Sequence, residues 1–184
     1  MKGIETKYKG IKFRSRLESK WARFFDLLMW RWEYEPFDLN GYIPDFVLIG
    51  KKRSTLVEVK PYELLEQFAP AIEKYRKSII GTDHWDKEIL LLGTAPLLIK
   101  NCSMGEHLGW LNERTWYKDA DVGYFEPAVF NNDSLGAGFI NSIMSYEDRI
   151  TGEYDGNSHL CPQSYEEIES LWAIATNGAR YDRV

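Results

Sequence analysis

Four side chains in this sequence are of types and spacings that allow joint chemistry: Glu18, Asp45, Glu58 and Lys60. Glu58 and Lys60 stand two residues apart, so in an extended segment both project from one side, while Val57 and Val59 project from the other. Asp45 lies in a second strand-like run, and hairpin pairing of the two runs brings its carboxylate close to Glu58. Two carboxylates in a partly desolvated place repel each other unless a cation neutralises them or they share a proton. Mg²⁺ is the hard cation suited to such oxygen donors, and Mn²⁺ is able to substitute for it.

The elements that must position these groups follow from the pattern of apolar residues. Leu17, Trp21, Phe24, Phe25 and Leu28 fall on one helical face, which predicts an amphipathic helix from Arg16 to about Trp30 carrying Glu18 in its first turn. Ser15 and Glu18 also have the spacing of a capping box, a structural role that competes for the same carboxylate. Asn40-Gly41 is a turn signal; Ile43 to Ile49 and Leu56 to Lys60 read as strands joined by the polar loop from Gly50 to Ser54. After Pro61, Leu64, Leu65, Phe68, Ile72, Tyr75 and Ile79 resume a helical pattern that Pro70 must break or restart. The apolar run Ile89-Leu90-Leu91-Leu92 suits a strand buried on both faces, and a strand–helix–strand crossover implies parallel pairing. The expected fold class is therefore α/β, a mixed β-sheet flanked by helices.

Beyond Lys100 the pattern weakens into aromatic and glycine-bearing segments that suit short strands and loops, until Ile168, Leu171, Trp172 and Ala175 announce a C-terminal helix capped by Ser164 and Glu167. Charge divides along the same line. Residues 1–60 hold 13 Lys and Arg against 8 Asp and Glu, whereas residues 61–184 hold 10 against 20, so a balance of +5 gives way to −10. The overall charge of −5 lacks the footprint of a basic nucleic-acid binder, yet positive charge accompanies the four chemical residues. Nothing at the N-terminus has the apolar core of a leader, and no run approaches the roughly 18 apolar residues of a membrane span, so a cytoplasmic chain is expected. Cys102 and Cys161 are expected to be free thiols; with His107 and His159 they have a spacing that fits no common zinc module. Trp30, Trp32 and Tyr34 read as core aromatics in preference to base-stacking ones.

Ile43-Pro44-Asp45-Phe46, followed by Glu58-Val59-Lys60, resembles the signature of the PD-(D/E)XK nuclease superfamily. The preceding Phe13-Arg14-Ser15-Arg16-Leu17-Glu18 extends the likeness to phage-type members, transposon-end endonucleases and Holliday-junction resolvases. The resemblance covers about residues 8–93. It implies a restriction-endonuclease-like core in residues 1–100, with residues 101–184 as an acidic extension packed on it and ending in a helix. It further implies Mg²⁺-dependent hydrolysis of phosphodiester bonds, with DNA the expected substrate and a phage or mobile element the expected source. In that reading Asp45 and Glu58 ligate the metal, the backbone carbonyl of Val59 is a third donor, Glu18 adds a contact, and Lys60 orients or activates water. Arg14 and Arg16 contact phosphates near the cut, while Lys12, Lys51, Lys52 and Arg53 bind backbone without sequence preference. RecB-type exonucleases carry a Q-x-x-x-Y helix, and here Gln67 is followed four residues later by Ala71, which argues against that branch.

Two other readings stay open. The acidic balance of residues 61–184 suits a non-catalytic binding or inhibitor protein that keeps the fold and presents an acidic surface, and a Mg²⁺-dependent ribonuclease would use the same residues. Enzymes of this kind commonly dimerise to cut both strands, so a homodimer or a partner protein is also open.

Overall fold

The computed structural model describes residues 4–79, 88–97, 107–112, 125–133, 135–141, 147–154 and 165–180. A short hairpin, β1 (Thr6–Tyr8) and β2 (Ile11–Phe13), leads into helix α1 (Arg16–Leu27). Seven further strands form one sheet: β3 (Trp32–Tyr34), β4 (Phe46–Ile49), β5 (Ser54–Val59), β6 (Glu88–Leu92), β7 (His107–Asn112), β8 (Phe125–Asp133) and β9 (Gly136–Asn141), in that spatial order. All neighbours are antiparallel except β5 and β6. Between those two runs a 3₁₀ turn (Leu65–Phe68) and helix α2 (Ala69–Ile79), the crossover that parallel pairing requires. Helix α3 (Tyr165–Gly178) closes the chain. The chain is thus α/β, with a large mixed sheet between helices.

Strand alternation sorts the core into two layers. Phe46, Leu48, Val57, Val59, Leu90 and Leu92 join α1 and α3, whereas Val47, Leu56, Ile89 and Leu91 join Phe68, Tyr75 and Ile79 from the α2 side. Helix α1 buries Trp21, Phe24 and Phe25 completely, each contributing roughly 1.5–3 kcal/mol by leaving water. Its rings meet Phe46 at 5.5 Å, Phe130 at 6.0 Å and Trp172 at 4.6 Å between centroids. The sheet curls around this helix far enough that the Trp30 indole N–H donates to the Ala137 carbonyl of the far edge strand β9 at 2.8 Å.

Helix α1 ends three residues before Trp30. Met29 adopts a left-handed φ of 58°, and the Trp30 N–H bonds back to Phe25, which turns the indole into the core instead of along the helix. Asn40 and Gly41 both take positive φ, 50° and 84°, closing a two-residue turn in which Leu39 and Tyr42 exchange backbone hydrogen bonds. Strand β4 therefore starts at Phe46, later than the expected Ile43. Pro70 is the second residue of α2, where the missing N–H has no helical partner to lose. Strands β7 to β9 carry the sheet past residue 100, with one register shift between His107 and Gly109, so the weak pattern there hides paired strands. Cys102, Trp116, His159, Cys161, Ser164 and the expected helix stop at Gly81 lie outside the described residues. Among the described residues no helix is long and apolar enough to cross a membrane.

At the loop end of the β4–β5 hairpin a buried ion-pair network takes over from apolar packing. Arg149, fully buried, grips Glu88 on β6 with Nε at 2.9 Å and Nη2 at 3.1 Å, and Arg53 reaches the same carboxylate at 3.1 Å and Glu147 at 2.8 Å. Asp148 accepts from the Ile150 and Thr151 amides and from Asn131. These contacts hold residues 147–154 against the sheet.

Candidate active site

The site lies at the opposite end of the same hairpin. The register pairs Phe46 with Val57, so its continuation by one residue sets Asp45 opposite Glu58. Both carboxylates are buried, at 2% and 6% exposure, and both belong to the α2 side of the sheet by strand parity. They line a cavity of about 330 Å³ together with Arg14, Glu18, Tyr42 and Lys60, while Ile43, Tyr62, Pro70, Ala71 and Lys74 form the remaining wall.

Asp45 is fixed from three sides. Its Oδ2 accepts the Val59 N–H at 2.7 Å and approaches Lys60 Nζ at 3.3 Å, and its Oδ1 meets Arg14 Nη2 at 2.7 Å. Glu58 Oε2 accepts the Tyr42 hydroxyl at 2.7 Å, and Oε1 lies 2.5 Å from Lys60 Nζ. The Lys60 ammonium also donates to the Val59 carbonyl at 3.1 Å. Three oxygens, Asp45 Oδ2, Glu58 Oε1 and Val59 O, thus surround one point of positive charge. They are the same three donors expected to hold a metal, all hard oxygens and few enough for a cation that keeps several waters. The donors are of the type Mg²⁺ takes, and the point between them is held by the Lys60 ammonium.

The electrostatics follow from burial and proximity. Burial pushes the Glu58 carboxyl above its ordinary range and Asp45 adds to the rise, against the downward pull of Lys60 and the Tyr42 hydrogen bond. Burial alone would lower Lys60, but Asp45 and Glu58 outweigh it and the ammonium is held more firmly than usual. Burial, reinforced by Glu58, keeps Tyr42 protonated well beyond the usual phenol range. Tyr42 is therefore a fixed donor to Glu58.

Glu18 lines the cavity yet stands apart from the carboxylate pair. The Ser15 hydroxyl accepts the Glu18 N–H at 3.2 Å and donates to Glu18 Oε1 at 2.7 Å. Glu18 Oε2 accepts from the Arg14 N–H at 3.1 Å and the Tyr34 hydroxyl at 2.6 Å. The carboxylate thus starts the helix, with the reciprocal bond shifted one residue upstream to Arg14. Among the described residues no three His, Cys, Asp or Glu side chains are close enough together to hold one ion, and the Glu18 carboxylate is engaged by Ser15, the Arg14 N–H and Tyr34.

The residues expected to bind phosphate divide. Arg14 reaches the cavity with its guanidinium engaged by Asp45 and by Glu35 at 2.7 Å each. Arg16 is outside the cavity lining, and Lys12 pairs with Glu5 at 2.7 Å on the exposed β1–β2 hairpin. Lys51, Lys52 and Arg53 sit roughly 20 Å away along β5, at its other end. There Arg53 binds Glu88 and Glu147, Lys52 approaches Glu147 at 3.7 Å, and the Lys51 backbone bonds to Ile150. These three belong to the brace and not to the cavity. The fully buried Trp30 and the partly buried Trp32 and Tyr34 pack on the core as expected.

Sequence reasoning missed Tyr42 and Lys74, and it read Tyr34 as a core aromatic without its hydrogen bond to Glu18. The one available signal for the tyrosines is chemical, since a buried hydroxyl needs a partner and two carboxylates were at hand. Lys74 is legible only as one turn beyond Pro70 on the same helical face. No family model, curated protein or solved structure matches this chain.

Proposed function

We propose that this protein is a Mg²⁺-dependent endonuclease with a restriction-endonuclease-like core, hydrolysing phosphodiester bonds in nucleic acid, with DNA as its substrate. The observation that carries the reading is the convergence of Asp45 Oδ2, Glu58 Oε1 and Val59 O within 3.3 Å of Lys60 Nζ. Crowding buried oxygens is costly unless a cation offsets it, the role the Lys60 ammonium fills here and a divalent ion would share. Asp45, Glu58 and the Val59 carbonyl would hold Mg²⁺, which would supply a water of lowered pKa and offset charge gathering on the phosphate under attack.

The protein's own residues do the rest. The Val59 amide and Arg14 hold Asp45 in one orientation, and Tyr42 does the same for Glu58, while the Lys60 ammonium now among these oxygens would swing aside for the metal. Lys60, firmly protonated, orients the attacking water and balances the negative charge that its attack creates. Glu18 anchors the start of α1 and, through the Arg14 backbone, the arm that reaches Asp45. The test incubates the protein with duplex DNA, single-stranded DNA and RNA of matched sequence, each with Mg²⁺ and with EDTA. Metal-dependent cutting of DNA supports the reading; cutting confined to RNA makes it a ribonuclease, and intact substrates throughout reject it.

A further inference from the structure

The cavity holds three cations, and two of them are already committed. Arg14 bridges Asp45 and Glu35, and Lys60 is enclosed by Asp45, Glu58 and the Val59 carbonyl. Lys74 lines the same cavity from α2 and makes no ion pair among the described residues. Its ammonium lies 5.7 Å from the centre of the Tyr42 ring, whose hydroxyl donates to Glu58, so it stands one side chain away from the carboxylate pair. Helical spacing explains the placement: Pro70, Ala71 and Lys74 share one face of α2, and all three line the cavity. Lys77, three residues on, pairs with Glu73 at 3.2 Å and is not among the lining residues.

Arg14 and Lys60 already face carboxylates, so a phosphodiester entering the cavity meets in Lys74 the one lining cation with no carboxylate partner among the described residues. We propose that Lys74 is a substrate-binding residue that donates to a backbone phosphate oxygen beside the cut, on the wall of the cavity formed by α2. The inference rests on the nuclease reading and adds to it a contact that no part of the E-x-K motif contains. Lysine serves this purpose as a mobile point charge, and the Tyr42 ring face beneath it keeps the ammonium near the cavity without neutralising it.

The experiment measures binding of a fluorescent duplex oligonucleotide by anisotropy over a range of NaCl concentrations in Ca²⁺, and cleavage of the same duplex in Mg²⁺, for the full-length wild type, Lys74→Gln, Lys74→Arg and Lys77→Gln. Thermal melts of each variant accompany both. Lys74→Gln should weaken binding roughly three- to tenfold and reduce the slope of log K against log salt by about 0.9, the signature of one lost phosphate contact. Lys74→Arg should restore the slope, and Lys77→Gln should leave it at the wild-type value. A wild type that cuts the duplex while Lys74→Gln keeps the wild-type affinity and slope overturns the inference and leaves the nuclease reading standing. A lowered melting temperature with an unchanged slope makes Lys74 merely a cap on Tyr42 and also overturns it. A wild type that neither binds nor cuts overturns the nuclease reading, and this inference with it.

Discussion

Tyr42→Phe isolates one atom of the site. The substitution keeps the ring, fully buried against Tyr75, and removes only the hydroxyl that donates to Glu58 Oε2 at 2.7 Å. A hydrogen bond to a charged acceptor contributes roughly 1.5–3 kcal/mol, and because no cavity opens the loss should be about 2 kcal/mol at neutral pH. For a chain of this size that corresponds to a fall in Tm of roughly 4–8 °C. Metal binding should suffer separately. Without the Tyr42 hydrogen bond Glu58 loses one of the influences that lower its pKa, so its carboxyl holds a proton more tightly still. A proton and a metal compete for the same oxygens, so the fall in Mg²⁺ affinity on acidification should begin at a higher pH in Tyr42→Phe than in the wild type. At neutral pH the affinity should drop roughly 10- to 100-fold, as for other groups that orient a ligand. Differential scanning calorimetry and isothermal titration with Mg²⁺ at several pH values read both effects. A variant with wild-type Tm and wild-type Mg²⁺ affinity across that range would refute the claim that Tyr42 positions Glu58.

Three further outcomes are expected. Arg149→Met leaves Glu88 buried with Arg53 alone, and urea titration should record a loss of roughly 3–5 kcal/mol; an unchanged midpoint would mean that the network does not brace the fold. Asp45→Asn should abolish metal-dependent cleavage while circular dichroism and Tm report an intact fold, because it relieves repulsion within the carboxylate pair; an unfolded variant would show that the Asp45 charge is needed for folding. Glu58, raised by burial first and by Asp45 second, binds its proton more tightly in the folded chain than in the unfolded one. The metal-free protein should therefore lose stability as pH rises from the ordinary glutamate value of about 4.3 through the higher folded value, and Glu58→Gln should flatten that part of the profile; parallel profiles for the two proteins would contradict it.

The parts of the fold that were readable in advance are those whose reasons are local. Strand alternation placed Glu58 and Lys60 on one face, the Asn40-Gly41 pair announced its turn, Pro70 marked the helix start, and the run from Ile89 to Leu92 was apolar enough for a strand buried on both faces. Strands β8 and β9 read only as short strands or loops because Pro127, Asn131, Asn132, Gly136 and Gly138 dilute their alternation, and Gly138 is small for a tertiary reason: a side chain there would collide with Asp148. The acidic partners of Lys52 and Arg53, Glu147 and Glu88, are remote in sequence, so the run Lys51-Lys52-Arg53 reads in sequence as unpaired positive charge. The acids and the lysine of the candidate site were legible from spacing; the groups that orient them, Tyr42 and Arg14, are defined only once the chain has folded.

The most direct test of the central claim is supercoiled plasmid incubated with the purified protein and Mg²⁺, beside an EDTA control and the Lys60→Ala variant. Nicking or linearisation that needs the metal and disappears in Lys60→Ala is the expected result. Plasmid left intact by the wild type, or cut equally well by Lys60→Ala, would contradict the assignment of Asp45, Glu58 and Lys60 as a metal-dependent phosphodiesterase site.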